Sequence, residues 1–122
     1  MKEFRFGPLA LTNTTTTNIL NPGTTTGGTN STSAPYDKLK IVLRHIRFVN
    51  KSGSTATFSL WLSTTGDNTA GKEVIGTGLS VAANSAYDWY GYLPLSTSDF
   101  LVGGASAYSA ITIMGEGTIE VA

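Results

Sequence analysis

The stretch from Thr55 to Thr64, TATFSLWLST, decides the fold class because its side chains alternate between apolar and polar. On an extended strand Phe58 and Leu60 point to one side, whereas Ser59 and Trp61 point to the other. This alternation is typical of a strand with one face on a core. The stretch therefore predicts a β-strand, not a helix.

The chain from residue 38 onward has the same character. No window of about 11 to 18 residues shows apolar side chains at helical spacing, and β-branched and aromatic residues dominate between turn residues. The last strand, over residues 111–121, alternates clearly. The strand over residues 38–50 changes phase near Arg44 and His45, where we expect a bulge or a bend. The pattern predicts an all-β, two-sheet antiparallel β-sandwich, either jelly-roll or immunoglobulin-like in strand order.

The N-terminal segment differs in composition from the rest of the chain. Residues 6–36 carry no charge, and residues 12–35 hold ten Thr, so the segment has little apolar area to offset the entropy of ordering. We predict an extended Thr-rich N-terminal arm over residues 1–35, able to supply one or two strands, and a β-sandwich domain over residues 36–122. Deleting the arm is expected to leave the sandwich folded. The apolar side chains of the arm are candidate subunit-interface residues: Phe4, Phe6, Leu9, Leu11, Ile19 and Leu20.

The formal net charge of zero hides an asymmetry between the two halves of the chain. Residues 1–61 carry seven basic and two acidic side chains, and residues 62–122 carry one basic and six acidic. We expect the basic stretch 38–51 to lie beside acidic strands of the second half or to face an acidic partner. Only Phe48 is interleaved with these basic residues, so nucleic acid is not an expected partner.

The composition also excludes several kinds of site and partner. The chain has no Cys, hence no disulfide, thiolate metal site or cysteine nucleophile. The single His45 has basic neighbours, so we expect it to be structural, and Asp67 is expected to shape its turn rather than bind calcium. No catalytic residue, metal or cofactor is predicted, and the protein is not expected to be an enzyme. No apolar run suits a signal peptide or a membrane span, so we expect synthesis in the cytoplasm and no membrane partner.

The aromatic residues are more informative. In the run YDWYGY, Tyr87 and Trp89 share one face of a strand and Tyr90 and Tyr92 share the other, so one pair belongs to the core. Trp61 stands on an otherwise polar strand face. We predict burial of the outward aromatics by a neighbouring subunit, in preference to stacking on glycan rings. The further candidate subunit-interface or binding residues are Arg44, Arg47, Trp61, Tyr90 and Tyr92.

Four short pieces follow one another in the second part of the chain: HIRFVN at 45–50, SGSTAT at 52–57, VAANS at 81–85 and DWYG at 88–91. In this order they resemble small β-sandwich virion structural proteins of tailed bacteriophages. The resemblance covers roughly residues 36–121 and implies a non-enzymatic building block of a head, neck or tail.

The resemblance and the low charge of the chain, 13% of residues, together predict a capsid decoration or cement protein of the virion that stabilises the head shell. The expected partners are copies of the same chain, in a homo-oligomer for which a trimer is favoured, and other virion proteins such as the major capsid protein. The alternative is a neck, tail or fibre component whose aromatic face binds host glycans.

Overall fold

The structure, a computed structural model, describes residues 2–22, 39–64, 66–96 and 98–121, and confirms the all-β prediction. Within these residues the chain forms eight strands and no helix, so no described helix is long and apolar enough to span a membrane. The strands are β1 (Lys2–Ala10), β2 (Asn18–Leu20), β3 (Leu39–Asn50), β4 (Ala56–Ser63), β5 (Leu79–Val81), β6 (Ser85–Leu95), β7 (Phe100–Ala105) and β8 (Ile111–Val121).

The strands form two antiparallel four-stranded sheets, in the orders β1-β8-β3-β6 and β2-β7-β4-β5. Four of the pairings are nested within one another: β4 with β5, β3 with β6, β2 with β7, and β1 with β8. The chain is thus one long antiparallel ribbon, rolled so that successive pairs lie in alternate sheets. This is the jelly-roll strand order, which decides between the two alternatives left open by the sequence.

The core lies between the two sheets. Phe48 of β3 stacks on Phe58 of β4, with ring centroids 3.8 Å apart and ring planes within 10°. Because β3 and β4 belong to different sheets, this aromatic pair joins them directly. The largest fully buried side chains are Phe6, Phe48, Phe58, Leu11, Ile19, Leu20, Ile41, Leu43, Ile46, Leu60, Leu95 and Leu101.

The bulge predicted in β3 is confirmed. The register of β3 against both β6 and β8 shifts between Leu43 and His45. Leu43 before the shift and Ile46 after it are both completely buried, although a regular strand would point them to opposite faces. Relative to β8 the inserted residue is Arg44, which is exposed, whereas relative to β6 the extra residue lies in β6, between Tyr90 and Leu93.

The described part of the predicted N-terminal arm is built into the sandwich. β1 is the edge strand of one sheet and β2 the edge strand of the other. The prediction that the apolar residues of this segment form a subunit interface is wrong for five of them, because they fill the space between the sheets of their own chain. Leu9 is partly buried and packs against the same core. The buried residues are Phe4, Phe6, Leu11, Ile19 and Leu20, each 3% exposed or less.

The expected separation of arm and sandwich is corrected by the same strands. Deleting residues 1–35 would remove one strand from each sheet, so we now expect that deletion to unfold the domain. The proposed boundary between residues 35 and 36 lies outside the described residues.

The Thr-rich loop between β1 and β2 is held by hydrogen bonds rather than by apolar burial. Ala105 N–H donates to the carbonyl of Thr12 (2.8 Å) and Gly103 N–H to that of Thr17 (3.0 Å). The hydroxyls of Thr12 and Thr17 are also hydrogen-bonded to each other, at 2.6 Å. A Cβ on Gly104 would press on the carbonyl of Thr14, so the glycine allows the loop to lie close to β7. This part of the low-complexity sequence is therefore ordered by its own chain.

A buried amide fixes the turn between β3 and β4. The side chain of Asn50 is fully buried. Its Nδ2 donates to the carbonyls of Ser54 and Val81, both at 2.9 Å. Its Oδ1 accepts from the backbone N–H of Ser52 (2.9 Å) and from the Ser52 hydroxyl (2.7 Å). Asn50 thus ties the end of β3 to β5 in the opposite sheet with its polar atoms satisfied.

The burial of β1 predicts a large cost for truncating Phe6. Phe6→Ala should lower the free energy of unfolding by about 3–5 kcal/mol, since it opens a cavity in the core. Arg5→Ala, on the exposed side of the same strand, is the matched control and should change it by no more than about 0.5 kcal/mol. Urea denaturation of both variants measures the difference. Equal, small losses would contradict the placement of β1 in the core.

The close approach of β8 to β3 at Gly117 predicts that adding a side chain there destabilises the protein by crowding. A Cβ at this position would overlap the carbonyl oxygen of Val42 on β3, which is backbone and cannot rotate away. Gly117→Ala should therefore destabilise the protein by at least about 1–3 kcal/mol. Gly53→Ala is the control, since nothing lies within 4 Å of a Cβ there. Thermal unfolding of both variants tests the pairing of β8 with β3, which a neutral Gly117→Ala would contradict.

Candidate functional site

The outer face of the sheet β1-β8-β3-β6 carries most of the polar and aromatic side chains singled out from the sequence. We call this surface the charged face. β3 contributes its basic side chains, and β6 contributes two tyrosines that are among the most exposed large side chains described, Tyr90 at 71% and Tyr92 at 62%. The residues of the charged face used below are Glu3, Arg5, Arg44, His45, Arg47, Asp88, Tyr90, Tyr92, Glu116 and Thr118.

The alternation read from the aromatic run is confirmed. Tyr87 and Trp89 are partly buried and pack against the core, whereas Tyr90 and Tyr92 lie on the charged face. The strand pairing explains this arrangement, since Tyr87 is opposite the buried Phe48.

Asp88 of β6 is the centre of a hydrogen-bonded ion-pair network. Its Oδ1 accepts from Arg47 Nε at 2.7 Å, its Oδ2 accepts from Arg47 Nη2 at 3.3 Å, and Oδ1 also lies 2.8 Å from His45 Nε2. These hydrogen bonds, that from Arg47 first and that from His45 second, lower the pKa of Asp88 below its ordinary value. The bidentate contact between the Arg47 guanidinium and the Asp88 carboxylate fixes the direction of the Arg47 side chain along the face.

His45 is enclosed on three sides. Besides the contact with Asp88, its Nδ1 lies 3.4 Å from Glu116 Oε2 of β8. The Tyr90 ring stacks on the imidazole with centroids 4.6 Å apart and planes within 13°. The basic strand β3 therefore does lie beside acidic side chains of the second half of the chain, as its charge predicted.

Arg44 and Tyr92 form a cation–aromatic pair on this face. The guanidinium carbon of Arg44 lies 5.9 Å from the centroid of the Tyr92 ring. Arg44 is inserted relative to β8, so its side chain points outward next to that of His45, where a regular strand would send neighbours to opposite faces. Tyr90 and Tyr92 thus each have a partner from β3.

An open depression of about 440 Å³ adjoins the Arg44 side of the network. Charged groups of three strands surround it: Glu3 and Arg5 of β1, Arg44 of β3 and Glu116 of β8. Thr118 adds a hydroxyl, and the backbone of β8 forms part of the floor at Gly117. It is a polar surface with both signs of charge.

Trp61 does not belong to an exposed surface, so its expected role as a contact residue is wrong. It points away from the core but is only 8% exposed. The reason is that β4 has neighbours on both sides here: Val102 of β7 is opposite Trp61 on one side and Glu73 on the other. Val74 N–H donates to the Leu60 carbonyl at 3.0 Å, which holds this loop segment alongside β4. No group of the described residues accepts a hydrogen bond from the indole N–H.

The remaining sequence candidates therefore fall into one group. The structure brings Arg44, Arg47, Tyr90 and Tyr92 together on the charged face. Sequence reasoning missed Asp88, Glu116 and Arg5 as their neighbours. The signal that could have found the two acids was the opposite charge of the two halves of the chain.

A separate polar cluster surrounds Asp67 in the loop after β4. Its carboxylate accepts hydrogen bonds from the Ser63 hydroxyl (2.6 Å), from Thr69 N–H (2.9 Å) and from the Thr69 hydroxyl, and Lys72 Nζ lies 3.6 Å away. The Ser63 and Thr69 hydroxyls, in that order, lower the pKa of Asp67 from 3.8 to about 2. Asp67 therefore organises its own loop. Among the described residues, no group of three or more His, Asp or Glu side chains is arranged to hold a metal ion.

The low pKa of Asp67 predicts a pH-dependent contribution to stability. Because the folded-state pKa of about 2 lies below the ordinary value of 3.8, the contribution is present above pH 3.8 and is lost as the pH falls towards 2. Asp67→Asn should therefore have a lower melting temperature than wild type near neutral pH, and the difference should shrink in acid. Thermal unfolding of both proteins between about pH 6 and pH 2 measures it. A difference that stays constant over this range would contradict the assignment.

Comparison with known proteins was made for the whole chain. No protein-family model matches it, and no curated protein matches its sequence. The strand order, the charged face and the resemblance of the four sequence pieces are therefore the features that bear on function.

Proposed function

We propose that the protein is a non-enzymatic virion structural protein of a tailed bacteriophage, and that it decorates the capsid and stabilises the head shell. The observation that carries the proposal is the nested jelly-roll strand order, an architecture found in viral capsid proteins. The resemblance of the pieces between residues 45 and 91 to small β-sandwich virion proteins supports it. Because a fold alone does not determine function, the proposal rests on the strand order and on the sequence resemblance together.

The side of the sandwich opposite the charged face suits packing against a protein lattice. It is formed by the outer face of the sheet β2-β7-β4-β5 and by the Thr-rich loop over residues 12–17. Thr57 and Ser59 of β4 point outward there, since they alternate with the buried Phe58. Hydroxyls can exchange hydrogen bonds with water for hydrogen bonds with a partner without leaving a charge buried and unpaired. We call this surface the hydroxyl face and assign it to the shell contact.

The partners that follow from this assignment are the major capsid protein and further copies of the same chain. A trimer is the homo-oligomer we favour, since a decoration protein that sits on a shell at a point of local three-fold symmetry repeats that symmetry. The place of action is the virion, after synthesis in the host cytoplasm.

The proposal predicts the number of copies of this chain in a purified particle. Quantitative mass spectrometry of virions, with the major capsid protein as internal reference, should find hundreds of copies. A dozen or fewer copies would contradict a shell decoration and would favour the neck or the tail.

A pair of charge insertions tests which side makes the shell contact. Thr16→Arg places a charge on an exposed position of the hydroxyl face and should abolish binding to shells that lack the protein. Ala86→Arg places the same charge on an exposed position of β6 and is the matched control, which should still bind. Cosedimentation of each folded variant with such shells measures the difference. Equal binding by both variants would contradict the assignment of the hydroxyl face.

The exposure of Tyr90 and Tyr92 supports a second candidate function. As a neck, tail or fibre component, the protein would use the charged face to bind host-surface glycans, because tyrosine rings pack well against sugar rings. A glycan array in which wild type binds and Tyr90→Ala does not would favour this function. Burial of both tyrosines against a neighbouring subunit in the assembled particle would rule it out.

A further inference from the structure

The open depression on the charged face holds two positive charges without an ion-pair partner in the described part of the chain. No ion pair connects Arg5 or Arg44 to a described residue, and Arg44 lies against the Tyr92 ring. Arg47 differs, since Asp88 binds its guanidinium. Both Arg5 and Arg44 are exposed and line the same depression from two different strands. No described carboxylate therefore pairs with either guanidinium group, and both can receive an anion.

The other groups of the depression limit the charge that such an anion can carry. Glu3 and Glu116 line it too, so the formal charges add to zero. A polyanion such as nucleic acid would meet both carboxylates, and its affinity depends on net positive charge. A ligand with a single carboxylate fits better, because a guanidinium binds a carboxylate through two parallel hydrogen bonds.

The carboxylates of Glu3 and Glu116 and the hydroxyl of Thr118 indicate which other groups the ligand carries. Carboxylate oxygens accept hydrogen bonds from hydroxyl groups, and the side chain of Thr118 can donate or accept one. Among the described residues Glu116 has one ion-pair contact, at 3.4 Å from His45, which leaves lone pairs of its carboxylate available. The Tyr92 ring lies outside the depression, where it contacts the Arg44 guanidinium and helps to fix the direction of that side chain. A polyhydroxylated ring with one carboxylate uses the guanidinium, carboxylate and hydroxyl groups that line the depression.

We propose that this depression, between Arg5 of β1 and Arg44 of β3, binds the carboxylated sugar residues of acidic glycans. Arg5 and Arg44 hold the sugar carboxylate, and Glu3 and Glu116 accept hydrogen bonds from ring hydroxyls. The site goes beyond the proposed capsid function and does not depend on it. It lies on the face opposite the hydroxyl face, so a protein bound to a shell through the hydroxyl face would present the depression to the outside.

Titration of the isotopically labelled full chain with N-acetylneuraminic acid and with glucuronic acid, followed by NMR, tests the site. Both sugars should cause saturable shifts in the backbone amides of residues 3–5, 44 and 116–118. The methyl ester of each sugar keeps the hydroxyls but removes the charge, and should bind at least about tenfold more weakly. Arg44→Gln should weaken binding of the acids by a similar factor.

Two controls separate this site from simpler explanations. Lys51→Gln removes one exposed positive charge outside the depression and should leave the dissociation constant within about twofold of wild type. Inorganic phosphate should not displace the sugar at equal concentration. The proposal is overturned by equal binding of acid and ester, by displacement with phosphate, by an unaffected Arg44→Gln, or by the absence of saturable shifts up to about 50 mM sugar. None of these outcomes bears on the number of copies per virion, so the failure of one proposal is distinguishable from the failure of the other.

Discussion

The insertion of Arg44 into β3 is the constraint on which both sides of this sheet depend. Side chains on a strand alternate with a strict period of two, so a strand without an insertion could not bury both Leu43 and Ile46. The bulge resets the alternation and lets the strand fill the core at both of its ends. It also turns two consecutive basic side chains, Arg44 and His45, to the same outer face. Core packing and the composition of the charged face therefore have a common origin in this irregularity of β3, which β6 matches with an extra residue of its own between Tyr90 and Leu93.

Much of the fold was predictable because it follows from the alternation of apolar and polar side chains along single strands. The strand over residues 55–64 and the inward placement of Tyr87 and Trp89 need only a period of two. The role of β1 was not predictable in this way, since its partner β8 lies about as far along the chain as the sequence allows. The uncharged, Thr-rich composition that follows β1 suggested an arm that could not bury itself, whereas Phe4 and Phe6 complete a core that exists only once the chain has closed.

The charged face was predictable as a set of outward side chains and not as a network. Alternation places Tyr90 and Tyr92 outside, but the partners of His45 come from β6 and β8 through the strand register. The register follows from the packing of the whole sandwich, which no short pattern encodes. Trp61 shows the opposite error: the strand pattern was right, yet the loop segment that pairs beside β4 at Glu73 leaves Trp61 buried, although Thr57 and Ser59 on the same face stay half-exposed.

The position of β8 has a consequence for the order of events during synthesis. This strand lies between β1 and β3, so neither of them has its full set of neighbours until β8 has left the ribosome. Until then the nascent protein exposes the unpaired backbone of β1 and one open edge of β3, both of which are templates for pairing with other chains. Because the contacts that close the sandwich join strands so distant in sequence, folding is expected to be slow. A cell that makes many copies at once would have to keep these edges apart until β8 has paired.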